Sequence, residues 1–99
     1  MDQTKISQGT KRRIEALFPK SQQEEVITIL STQCGNNLPG LKSYTPVELE
    51  RFQFAALKLS NGELGKLKQA VDLAKIDWRD LLMSAGFGEH INAHNSWLA

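Results

Sequence analysis

Glu89, His90 and His94, in the stretch "EHINAH", are the residues whose types and spacing come nearest to chemistry. On a helix, histidines four apart share a face and can hold one metal ion between them. A zinc-protease helix reads H-E-x-x-H, with its general-base glutamate between the histidines, whereas here the glutamate precedes both. Two imidazoles also leave a tetrahedral zinc short of ligands. Asn92 can cap a short last helix carrying Ala93, Trp97 and Leu98, which would split the pair. The three residues are therefore ranked behind a role as polar tail residues, and no metal, cofactor or catalytic residue is expected. Asp77 and Asp80, three apart, could be paired carboxylates for acid–base work, but at the head of an apolar stripe they read as a helix cap and a first-turn anion. Cys34, the lone cysteine, sits on an apolar stripe as a small buried hydrophobe.

Charge offers one further candidate. Lys11, Arg12 and Arg13, with Lys5 and Lys20, set five bases against two acids over residues 1–20, a local +3 in a chain of net +1. Such a run can contact phosphates, and each neutralised phosphate releases counterions. No recognition-helix pattern follows it, because the next helix opens on Glu24 and Glu25. A solvated basic end is ranked ahead of a nucleic-acid contact.

These residues must be held by helices. At 99 residues, 40% hydrophobic and 23% charged, the chain is long enough for one folded domain over 1–99, with 1–9 expected as a flexible lead-in. The first helix carries Ile14 and Leu17, with Ile6 and Thr10 extending the stripe backwards past a costly Gly9, and it stops before Pro19. Ser21 and Glu24 form a capping box for the second, which carries Val26, Ile27, Leu30 and Cys34 with Ile29 on its flank. Thr45, Pro46 and Glu48 start the third, with Tyr44 and Leu49 as a staple. Its residues Leu49, Phe52, Ala56 and Leu59 make one apolar face, while Val47 and Phe54 make another. A helix apolar on two faces belongs at the centre.

"SNG" at 60–62 is a tight turn into the fourth helix, which carries Leu64, Leu67, Ala70, Val71 and Ala74. Gly65 on this helix is read as a close-crossing point, and Lys68 and Asp72 as an i, i+4 pair. Asp77 then caps the fifth helix. Trp78, Leu81, Leu82 and Ala85 are its core face, Gly86 its left-handed terminator and Phe87 the residue that folds back on it.

Residues 54–87, ending in "DWRDLLMSAGF", resemble the C-terminal part of small uncharacterised bacterial proteins that close on a similar DWRDLL–AGF block. That resemblance implies a helical structure and a bacterial source, and it carries no activity. The expected architecture is all-α: a bundle of about five helices around a central third, with a short sixth near the C-terminus. With no disulfide partner for Cys34, no signal-like segment and no ~20-residue apolar span, a cytoplasmic protein with no membrane association is expected. The expected function is a non-enzymatic protein-interaction or regulatory module using apolar surface at Val47, Phe54, Met83 or Trp97. A nucleic-acid binder using Lys11, Arg12 and Arg13 comes second, and a metal-dependent enzyme third. A monomer is ranked ahead of a homodimer.

Overall fold

A computed structural model of the chain describes residues 6–33, 46–88, His94 and Trp97, with backbone alone for 46–48. The described residues hold five helices and no strand: α1 (Gln8–Leu17), α2 (Lys20–Gln33), α3 (Pro46–Ser60), α4 (Leu64–Ile76) and α5 (Trp78–Ala85). This is the expected all-α bundle. Cys34, Tyr44, Thr45, Glu89, His90, the side chain of Val47 and the proposed sixth helix lie outside the described residues. None of the described helices is long and apolar enough to cross a membrane.

The third helix is central, as its two apolar faces require. Phe52, Gln53, Phe54, Ala55, Ala56 and Leu57 are all buried, and six consecutive residues pass right around a helix. α3 packs against α1, α4 and α5. Phe52 meets the half-buried Trp78 edge-on, with ring centroids 5.5 Å apart. Phe54 faces the other way, toward α1 and the C-terminal tail.

Two glycines set how closely α1 approaches. Ser7 caps α1, its hydroxyl accepting from the Thr10 N–H at 3.1 Å, and Ile6, Ser7 and Gln8 lie beside Leu49, Glu50 and Gln53 of α3. A methyl at Gly9 would stand 3.2 Å from Glu50 Oε2 and 3.3 Å from the Phe54 ring, so a bare backbone there permits the α1–α3 contact. Gly62, in the turn between α3 and α4, is left-handed at φ 79°, and a Cβ on it would meet the Leu17 carbonyl at 2.8 Å. Gly65 has open space around it, so it marks no helix crossing.

Other local readings shift slightly. α1 stops before Pro19 as expected. α2 begins at Lys20, with Gln22 N–H donating to the Pro19 carbonyl at 2.9 Å, so Ser21 lies inside the helix and is not its cap. Ile29 is more deeply buried than Ile27, which turns the core face of α2 onto Val26, Ile29 and Leu30. Lys68 reaches across to Glu25 of α2 at 3.6 Å, a longer-range pair than the Lys68–Asp72 one its spacing suggests.

α5 ends as its sequence requires. Asp77 accepts from the Arg79 N–H at 3.0 Å, Gly86 is left-handed at φ 81°, and Phe87 N–H donates to the Leu82 carbonyl at 2.8 Å, closing a Schellman motif. Two cations from α3 complete this end. Lys58 donates to the Ala85 carbonyl at 2.8 Å, and Arg51 donates to the Phe87 carbonyl through Nε at 2.9 Å and Nη2 at 2.5 Å. Positive charge at a helix C-terminus opposes the dipole there and satisfies carbonyls that the helix leaves open.

Candidate functional site

Two places in the fold gather chemically active side chains. The first is a polar network where α1, α3 and the tail meet. At its centre is Glu50 on α3. Ser7 donates to its Oε2 at 2.6 Å, and His94 Nε2 lies 3.1 Å from its Oε1. A carboxylate accepts and does not donate, so the His94 proton on this side sits on Nε2. Thr10 and Gln53 extend the network, with Thr10 Oγ1 donating to Gln53 Oε1 at 3.1 Å and lying 2.9 Å from Ser7 Oγ. Thr10, Gln53 and His94 are almost wholly buried, where an unmade hydrogen bond costs about 1–3 kcal/mol.

Gln53 Nε2 is buried with no hydrogen-bond partner among the described residues. Turning the amide over lets that nitrogen donate to Thr10 Oγ1, sends the Thr10 proton to Ser7 Oγ, and leaves the Ser7 proton on Glu50. Every proton then runs one way toward the carboxylate.

The order of groups decides what this network can do. Nucleophilic catalysis places an imidazole between serine and carboxylate, so that the base takes the serine proton. Here the carboxylate stands between serine and imidazole, and Ser7 Oγ is already occupied as the α1 cap. The arrangement ties α1 and the tail to α3. Beside it lies a pocket of about 410 Å³, lined by Ile6, Ser7, Gln8 and Lys11 of the α1 end and by Leu49, Glu50 and Gln53 of α3.

The tail residues close over Phe54. The His94 ring meets it edge-on at 4.9 Å and Trp97 at 5.8 Å, while the Arg13 guanidinium lies 4.3 Å above it. Arg13 also donates to the Gly9 carbonyl at 3.2 Å and the Trp97 carbonyl at 2.6 Å. Phe54, an expected interaction residue, is thus a core residue at 2% exposure and presents nothing to a partner. Trp97, expected on the same list, is half-buried against Phe54 and Phe87. The basic run is divided. Lys11 and Arg12 are exposed, but Arg13 turns inward and its charge is spent on two carbonyls and an aromatic face. His94, half of the metal pair, is fully buried on Glu50. Among the described residues no group of three or more metal-ligating side chains comes together.

The second place is the outer side of α5, where Met83 is 72% exposed. It borders a notch of about 350 Å³ lined by Arg51, Trp78, Arg79, Leu82, Met83 and Gly88. Met83 is readable from the helical wheel, because it points nearly opposite Trp78. Arg51, Glu50, Gln53 and Ser7 escaped that reading. Their partners lie more than thirty residues away in sequence, and helical periodicity carries no signal for such pairs. Thr10 on an apolar stripe was the one visible hint, since a buried hydroxyl needs a partner.

No protein-family model matches the chain, and no characterised protein or solved structure is significantly similar to it.

Proposed function

We propose that this protein is a small interaction module, regulatory and not enzymatic in character, that docks another protein on the outer face of α5. The supporting observation is Met83. It is 72% exposed on an eight-residue helix whose opposite face, Leu81, Leu82 and Ala85, is buried. One exposed apolar side chain is ordinary on a protein surface. Here Met83 borders a notch that is also lined by the half-buried Trp78, the buried Leu82 and the arginines Arg51 and Arg79. Tryptophan, methionine and arginine are enriched in protein interfaces, and methionine's flexible thioether adapts to a partner's shape.

A photo-crosslinking residue placed at position 83 tests this in the source cells, with the exposed Asp72 of α4 as the control position. The reading predicts a discrete adduct from 83 and none from 72. Its protein, identified by mass spectrometry and purified, should bind the native chain and bind Met83→Glu at least about tenfold more weakly, as loss of an interface anchor implies. Equal adducts from both positions, or equal binding of Met83→Glu, would contradict it.

A further inference from the structure

We infer that Asn61–Gly62, in the turn between α3 and α4, is a site of spontaneous backbone modification. The Asn61 amide closes onto the Gly62 nitrogen, and the ring reopens to isoaspartate, which loosens the turn. The site is separate from the α5 face. It follows from what the turn demands of its residues. Asn61 is left-handed at φ 50°, where asparagine is tolerated better than most side chains, and Gly62 is left-handed at φ 79°. Packing also holds glycine at 62, because a Cβ there would meet the Leu17 carbonyl at 2.8 Å. The turn thus selects two residues that react as neighbours, and Asn61 is the asparagine of this chain that a glycine follows.

The nucleophile is the Gly62 backbone nitrogen, once it has given its proton to hydroxide. It attacks Asn61 Cγ, a new N–C bond forms, the Cγ–Nδ2 bond breaks, and ammonia leaves behind a cyclic succinimide. Water then opens the ring. Addition at the side-chain carbonyl gives aspartate, and addition at the main-chain carbonyl gives isoaspartate, with the chain running through Cβ and Cγ. No oxidant, metal or second protein enters the balance. Glycine has no Cβ to crowd the attacking nitrogen, and Asn61 is exposed, so water and base reach it. The Gly62 N–H is held by a long bond of 3.3 Å to Ser60 Oγ, which a local opening of the turn breaks. Isoaspartate lengthens the main chain between Ser60 and Gly62, and the turn is already taut. Glu63 N–H donates to the Ser60 carbonyl at 2.9 Å, Gly62 sits on the Leu17 backbone of α1, and α4 begins at Leu64. The longer chain displaces these contacts where α1, α3 and α4 meet.

The test is ageing of the purified chain in mildly alkaline buffer, followed by mass mapping of the tryptic peptide 59–66, released by cleavage after Lys58 and Lys66. A synthetic peptide of the same sequence gives the rate of the unconstrained reaction. In the native chain, Asn61 should gain the mass of an amide turned to an acid faster than any other asparagine. The product peptide should accept a labelled methyl group from S-adenosylmethionine when an isoaspartyl methyltransferase is added as reagent. The aged chain should melt lower by about 4 °C or more, as the loss of a turn contact implies in a domain of this size. Asn61→Gly suits the left-handed turn and has no amide to close. It should fold, give no methyl acceptance in this peptide and keep its melting temperature on ageing. An intact Asn61 when the synthetic peptide has fully converted would overturn the inference, and so would conversion to aspartate alone. Conversion to isoaspartate with no fall in melting temperature, or an equal fall in Asn61→Gly, would overturn it as well.

Discussion

Arg12 and Arg13 are neighbours in sequence and opposites in the fold. Arg12 is exposed, whereas Arg13 bonds two carbonyls and covers the Phe54 ring. Arg13→Lys keeps the charge but loses the planar fork, and it should lower stability by about 1–2 kcal/mol. Arg12→Ala should stay within about 0.5 kcal/mol of the native value, as surface changes do. Urea denaturation of the two variants checks this, and equal small effects would show that Arg13 does not hold the tail. His94 makes the same point about burial. His94→Ala removes a wholly buried ring from Phe54 and leaves Glu50 with Ser7, and the loss should be about 2–4 kcal/mol by the same measurement. "KRR" and "EHINAH" look like surface chemistry as text. Arg13 and His94 turn inward because a tail about eighty residues after Arg13 comes to lie on α1 and α3, and no local pattern encodes that meeting.

At the scale of elements, the apolar stripes and both ends of α5 were legible because each is a short-range pattern, whereas the capping box read at Ser21 was not a cap. Asp77, Gly86 and Phe87 specify both ends of α5 within eleven residues, and the structure places all three in those roles. Pro19 likewise ends α1, and Pro46 begins α3. The glycines show where local reading stops. Gly62 and Gly65 are three residues apart, yet a side chain at Gly62 meets the Leu17 backbone while one at Gly65 meets open space. Gly62→Ala should therefore destabilise by more than the ~1 kcal/mol that a left-handed residue alone costs, since the carbonyl clash adds to it. Gly65→Ala should stabilise by about 0.5–1 kcal/mol, because it removes backbone freedom from the unfolded chain in a helical position. Thermal melts should move in opposite directions. A rise for both would mean that the turn packs less closely on α1.

For the molecule as a whole, the central helix decides which surfaces remain. α3 is enclosed by α1, α4 and α5, with Arg13, His94 and Trp97 over Phe54, so a dimer built on Phe54 has no exposed side chain to use. Phe54→Glu should unfold the chain, read as loss of helical circular dichroism, because a buried carboxylate would replace a core ring. The amphipathic pattern announced that α3 would be central, but not that the tail would cover its second face. Among the described residues two large apolar side chains remain outward, Ile76 at the end of α4 and Met83 on α5, and the notch beside Met83 is the surface on which the proposed function stands. The chain has two methionines, Met1 and Met83, so methyl labelling of methionine yields a simple spectrum in which the exposed Met83 reports on this surface. Titrated with the purified protein that crosslinks at position 83, the Met83 methyl resonance should shift saturably. A partner that binds and leaves the Met83 methyl unmoved would contradict docking at α5.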